Sequence, residues 1–118
     1  MNSNLQDHWL NLIRPLFKPD ADFKILDLKD DYVVIVSWKL HTDLSRPSKR
    51  SKRIQIIVSH EAVEDYQNKS ERQQKNDDEK LTQFIKLNLE NFEPNHDSPI
   101  EVESPEVKWI AGSHILNS

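Results

Sequence analysis

Basic residues are concentrated in one short segment of the sequence, and their chemistry suits the recognition of phosphate or carboxylate groups. Five of them lie within residues 46–53, which we call the basic segment: Arg46, Lys49, Arg50, Lys52 and Arg53. A solvated segment of this density can neutralise several phosphates of a nucleic acid and release their counterions. Pro47 and its neighbouring serines disfavour helix there. We therefore take these five residues as the candidate binding site.

The charge of the basic segment contrasts with that of the rest of the chain. Six basic residues and one acid between Lys39 and Arg53 give this stretch a formal charge of +5, although the whole chain carries −4. The remainder therefore carries −9, and residues 87–107 hold six acids and no lysine or arginine. This asymmetry is the most informative feature of the sequence. The acidic net charge argues mildly against a dedicated nucleic-acid binder.

Three interpretations of the basic segment stay open on the sequence alone. In the first it binds nucleic acid. In the second it binds an acidic protein surface, which includes residues 90–106 of this chain or of a second copy in a symmetric dimer. In the third it is a solvated loop whose lysines and arginines prevent edge-to-edge pairing of strands.

Motifs for cofactor binding and covalent catalysis are missing from the sequence. The one glycine, Gly112, cannot supply a P-loop or a dinucleotide fingerprint, and a nucleophile elbow cannot be written either. A chain without cysteine forms no disulfide and no cysteine zinc site. The sequence therefore predicts no cofactor and favours a protein that is not an enzyme. An active site of scattered carboxylates and histidines is the third hypothesis.

His60 and Glu64 are spaced one helical turn apart, as two metal ligands on one helix face would be. A zincin helix, however, needs a second histidine where Glu64 stands. Carboxylates near a helix N-terminus are also favourable without any metal. We therefore predict no metal site here, and we interpret the other histidines as polar surface residues.

The first predicted element is a helix over residues 4–17. Ser3 and Gln6 have the spacing of a capping box at its start, and Pro15 and Pro19 end it because each removes a backbone donor. Its apolar residues recur on one face: Leu5, Trp9, Ile13 and Leu16.

Three strands are predicted next, over residues 23–28, 32–39 and 54–58. Both faces of the second strand are apolar, which is typical of a central strand. The order of the three indicates an antiparallel meander with the second strand in the middle. The basic segment lies in the connection of residues 40–52, which is longer than the roughly 2–5 residues of most hairpin loops.

The second half of the chain predicts helices and then extended structure. Ser59 is expected to cap a helix, and residues 67–80 hold no apolar residue. Opposite charges four residues apart would stabilise one continuous helix there, but we favour two helices, the second beginning with a capping box at residues 76–79. Pro94 follows that helix, and residues 99–111 have an extended pattern. Apolar patterning assigns at least two of the three tryptophans to the core.

Together these patterns predict a single α+β domain over residues 1–118. It comprises an N-terminal helix, a three-stranded antiparallel meander, a helical segment and one or two C-terminal strands, with the helices on one face of the sheet. No apolar run approaches the ~18 residues of a membrane span, and we expect a cytoplasmic protein without a membrane partner. The expected function is that of a non-catalytic binding or accessory protein acting through protein–protein contacts or self-association. The alternative is a nucleic-acid-binding regulator that uses the basic segment.

Overall fold

A computed structural model of the chain describes residues 3–40, 50–94 and 106–111, with side chains from Leu5 onward. Its elements are α1 (Ser3–Ile13), β1 (Asp22–Asp27), β2 (Asp31–Ser37), β3 (Arg53–Ser59), α2 (His60–Gln67), α3 (Glu71–Glu90) and β4 (Glu106–Ile110). Within these ranges no helix combines the length and the apolar character that crossing a membrane requires.

The four strands form one mixed sheet in the order β1-β2-β3-β4. The first three are antiparallel neighbours, whereas β4 pairs with β3 in parallel. The structure therefore confirms the predicted α+β fold with its N-terminal helix, meander and C-terminal strand, and it places β2 between β1 and β3 as expected. A parallel pair needs a crossover connection, and the chain makes it through α2 and α3.

The hydrophobic core lies between one face of the sheet and the helices. Alternate residues of each strand point to this face, and residues from all three described helices meet them there. The principal members are Trp9, Ile13, Tyr32, Val34, Val36, Trp38, Ile54, Ile56, Val58, Val63, Tyr66, Leu81, Ile85 and Trp109. All three tryptophans are buried, so the prediction for at least two of them is confirmed. The Phe92 ring packs edge-on against Trp38 and Trp109, each with ring centroids 5.8 Å apart.

The N-terminal helix is shorter than the predicted 4–17. It ends at Ile13, and residues Arg14–Leu16 continue as one 3-10 turn. Pro15 explains the change, because its ring removes the N–H that the next α-helical hydrogen bond needs. The expected capping box depends on the side chain of Ser3, which lies outside the described side chains.

The helical segment divides into two helices, as predicted, but the joint lies at residues 68–70. Ser59 caps α2 as expected, accepting a hydrogen bond from the backbone N–H of Ala62 at 3.1 Å. Ser70 caps α3 and forms a capping box with Gln73. The predicted capping box at residues 76–79 is wrong, because these residues lie inside α3. Both stretches carry a local capping signal, and the earlier one forms.

A buried ion pair fixes the corner between α2 and α3. The Lys69 ammonium lies 2.7 Å from Oδ2 of Asp77, and Asp77 is only 3% exposed although it lies within a helix. A buried carboxylate is costly unless a cation and hydrogen bonds compensate it. The joint of residues 68–70 therefore has to keep Lys69 over this part of α3.

We expect Asp77→Ala to lower the free energy of unfolding by about 1–3 kcal/mol, because the Lys69 ammonium, which is 20% exposed, loses its 2.7 Å contact with a buried carboxylate. Urea denaturation measures this change. The matched control is Glu79→Ala, an exposed acid on the same helix, which should change the free energy of unfolding by less than about 0.5 kcal/mol. Equal losses in the two variants would contradict the role of the ion pair.

Candidate functional site

The structure describes three of the five basic residues predicted as a binding site. Arg46 and Lys49 lie outside the described residues. Lys52 is half-buried, and its backbone N–H donates to the carbonyl of Pro94 at 3.0 Å. Arg50 and Arg53 are each engaged by a carboxylate of the sheet, so these two side chains take part in holding the fold together.

Arg50 ties the connection after β2 to the edge of β1. Its guanidinium lies 2.5 Å from Oδ2 of Asp22 and donates a 2.9 Å hydrogen bond to Oγ of Ser37. The next residue, Ser51, is fully buried and its hydroxyl oxygen accepts from the backbone N–H of Trp38 at 3.1 Å. The chain entering β3 is therefore fixed to β1 and to the end of β2.

Arg53 ties β3 to β4. Arg53 and Glu106 are register partners, and the guanidinium contacts one carboxylate oxygen of Glu106. The other oxygen accepts a hydrogen bond from Nε2 of Gln55 at 2.7 Å. The Glu106 carboxylate therefore bonds to two side chains of β3, and this stabilises the pairing of β4 with β3 at the first residue of β4. The nucleic-acid interpretation stays a prediction, with two of its five cations already paired to the sheet.

The face of the sheet opposite the core carries a set of apolar residues of its own. Side chains alternate along a strand, so the residues between the core positions of β1 to β4 share this face, which we call the outer face. Its apolar members are absent from the core cluster: Leu26, Val33, Ile35, Ile57 and Ile110. The described helices contribute their buried residues to the core cluster and thus to the other face.

The strand register aligns four of these residues into a continuous row. Leu26 is the partner of Val33, Val33 that of Ile57, and Ile57 that of Ile110. These four residues, which we call the apolar row, cross every strand of the sheet over a span of about 14 Å, since strands lie ~4.8 Å apart. Exposure is lowest at the centre, where Val33 is 4% exposed, and highest on β4, where Ile110 is 59% exposed.

The two sides of the apolar row differ in charge. On one side the register places Lys24, Ile35, Gln55 and Lys108 next to one another across the strands. Among the described residues, neither Lys24 nor Lys108 has an ion-pair partner. On the other side, Asp31 and Ser59 are register partners. The outer face therefore presents an apolar row between a basic flank and a flank with an acid.

Sequence reasoning missed the apolar row, although part of its signal was visible. Within residues 32–36, the apolar side chains on both faces of the predicted strand indicated that both faces are buried. The alignment with Leu26 and Ile110, however, depends on the register of three strand pairs and on the parallel direction of β4. These are non-local features that alternation within one strand does not specify.

A second feature is a cleft of about 600 Å³ between α1, α2 and α3. Oδ2 of Asp78 lies 2.8 Å from the ring Nε2 of His8, and Oδ1 accepts a 2.9 Å hydrogen bond from the Tyr66 hydroxyl. Burial, and then the hydrogen bond to Asp78, raise the pKa of Tyr66 above its ordinary value, and the Trp9 indole opposes this. These polar groups are engaged with one another, so we interpret them as the junction that holds α1 and α2 on α3.

His60 takes a structural position. Its ring Nε2 lies 3.0 Å from Oδ1 of Asp27, and its ring packs against Tyr32 at an interplanar angle of 33° with centroids 4.2 Å apart. Within the parts of the chain that the structure describes, no group of three or more metal-ligating side chains occurs. The His60 ring thus joins the start of α2 to the end of β1.

Comparison of the chain with models of protein families, with curated proteins and with solved structures gives no match. Function must therefore follow from the surfaces of this chain. Of the two candidates, the cleft has polar groups that bond to one another, whereas the outer face exposes apolar area and, within the described ranges, two lysines that have no ion-pair partner. The outer face is the candidate functional site.

We expect Ile110→Thr to change the free energy of unfolding by less than about 0.5 kcal/mol, because threonine keeps the preference for strand and the side chain is exposed. The matched comparison is Trp109→Ala, one residue earlier on the opposite face, which should cost about 3–5 kcal/mol. Thermal or urea denaturation measures both. A large loss for Ile110→Thr would mean that the row serves folding rather than a partner.

We expect the free energy of unfolding to fall as the pH rises above about 10, the ordinary pKa of tyrosine. Since the folded pKa of Tyr66 is raised, its contribution is complete below that pH and is lost as the pH rises toward the folded pKa. Tyr66→Phe should make this pH dependence shallower, with Tyr32 retaining part of it because burial also raises its pKa. Urea denaturation across alkaline pH tests this, and identical slopes would contradict it.

Proposed function

We propose that this chain is a non-catalytic protein-binding module whose outer face receives an apolar segment of a partner protein. The observation that supports this is the apolar row, which the register makes continuous across four strands and which ends in the exposed Ile110. Contiguous exposed apolar surface with a polar rim marks interaction sites in proteins. The apolar row has such a rim, with lysines on one side and Asp31 on the other, and its accessible part comprises the half-buried Leu26 and Ile57 and the exposed Ile110 around the buried Val33.

Single exposed apolar residues are common on protein surfaces and need no functional explanation. Leu87 on α3 is of this kind: it is 61% exposed and lies outside the core cluster. Ile110 has nearly the same exposure, 59%, but three apolar register partners continue from it across the sheet. The two residues are therefore a matched pair, in which continuity with an apolar row is the main difference.

Charge also favours a protein over a nucleic acid as the partner. The chain is acidic overall, with a formal charge of −4, and a polyanion is repelled by such a molecule unless a strong basic patch overcomes the field. On the outer face, Arg50 and Arg53 are paired with carboxylates, and Lys24 and Lys108 lie beside apolar side chains. Two lysines at the edge of an apolar surface suit an acidic rim on a partner protein.

We expect a photo-crosslinking amino acid at position 110 to give one discrete adduct in cells that make this protein, because the partner's apolar segment would lie against β4. The same amino acid at position 87 should give none. Val33→Asp, which puts a charge into the centre of the row, should abolish the adduct at position 110, and gel electrophoresis with immunodetection measures it.

Two controls make this experiment decisive. Circular dichroism has to show that the variant with Val33→Asp is folded, and Ile57→Lys, at a half-buried position of the row, provides a second disruption if it is not. Adducts of the same pattern at positions 110 and 87 would contradict the proposal. So would an adduct at position 110 that consists only of two copies of this chain.

A further inference from the structure

We infer that the docked segment is an amphipathic α-helix of a different protein, laid across the strands, with acidic residues along its side toward Lys24 and Lys108. This inference rests on the proposed function and specifies its partner. Three features of the outer face carry it: the spacing of the apolar row, the charges of its two flanks, and the surface of this chain's own helices.

The spacing of the apolar row fits the repeat of a helix. Its four residues follow one another at the strand spacing of ~4.8 Å. A helix places side chains of one face at about i, i+4, i+7 and i+11, with a mean step of about 5.4 Å along its axis. An extended segment places the side chains of one face about 6.7 Å apart. This exceeds the spacing between strands, so after two such side chains the next ones no longer lie over the residues of the apolar row. Three turns of helix, about 16 Å, cover the 14 Å row.

The charges of the two flanks determine which side of such a helix carries its acidic residues. Lys24 on β1 and Lys108 on β4 are the two ends of the line of register partners that runs beside the apolar row. Three strand spacings separate them, which is about 14 Å. On a helix, residues about seven or eleven positions apart lie on one side, separated by roughly 10 or 16 Å. Two acids at such positions would each meet one lysine. The opposite flank carries Asp31, which disfavours an acid there.

The described helices α1, α2 and α3 do not provide the docking segment. Among the residues that the structure describes, the exposed large apolar residues are Leu28, Leu87 and Ile110, and Leu87 alone belongs to a helix. The apolar faces of the described helices are already used in the core. A second copy therefore offers no described helix with a free apolar face, which favours a helix of another protein as the occupant.

The test uses designed peptides and the full chain. The probe is a helical peptide of about 18 residues, or five turns, with leucines at i, i+4, i+7 and i+11 and glutamates along one side. Fluorescence anisotropy should show saturable, micromolar binding. A peptide of the same composition in scrambled order should not bind. Ile110→Asp should weaken binding of the probe at least roughly tenfold, as the loss of one apolar contact and the burial of a charge imply.

Charge-reversal variants test whether the acidic side of the docked helix lies against Lys24 and Lys108. The double variant Lys24→Glu/Lys108→Glu should weaken binding roughly tenfold, because two attractive pairs become repulsive. A peptide with lysines in place of the glutamates should bind this variant better than it binds the unaltered chain. The matched control is Lys75→Glu/Lys86→Glu, with the same change of charge at two exposed lysines of α3, which should leave binding within about twofold.

The outcomes separate this inference from the proposed function. If a specific adduct forms at position 110 but the helical peptide does not bind, the docked segment is not a helix and the inference is overturned, while the binding module stands. If neither occurs, both are overturned. If the two double variants bind the acidic peptide equally, the lysine flank has no part in recognition and the inference is overturned.

Discussion

The parallel pairing of β4 with β3 is the constraint on which the rest of the structure depends. A parallel neighbour cannot be reached by a tight turn, so the chain crosses the sheet through α2 and α3, on the same face that α1 covers. All described helices therefore contribute to one core. Among the described residues, the apolar ones on the opposite face are register partners of one another, and β4 completes their row with Ile110. One topological choice thus creates both the core and the candidate site.

Neighbouring acids of α3 hold the helical layer in place. Asp77 faces Lys69 at the corner with α2, and Asp78 receives Tyr66 from α2 and His8 from α1. Polar junctions of this kind form in one arrangement only, because a buried polar group that loses its partner is costly. They therefore fix the relative position of helices that apolar packing alone would allow in several arrangements. The helical layer is accordingly specified in detail, whereas the ion pairs of the described part of the outer face lie at its Arg50 and Arg53 end.

Local patterns in the sequence predicted the elements well, since helices, strands and caps depend on neighbours in the chain. They could not decide between the capping signals at Ser70 and at Asn76, because the choice follows from tertiary contacts: Asp77 is buried against Lys69, and Gln74 donates to the carbonyl of Tyr66. Likewise the charge density of the basic segment was evident, but the carboxylates that engage Arg50 and Arg53 lie 28 and 53 residues away. The apolar row was missed for the same reason, because it exists only after three strand pairs are in register.

The most direct test of a partner-binding outer face is the solvent accessibility of its methyl groups in the isolated chain. Methyl NMR with a soluble paramagnetic agent measures this residue by residue. We expect the Ile110 methyls to broaden as strongly as those of exposed Leu87, Leu26 and Ile57 to be intermediate, and Ile54 and Ile85 in the core to be protected. If Ile110, Leu26 and Ile57 are instead as protected as Ile54 at every protein concentration, the outer face is covered by the chain itself and cannot receive a partner.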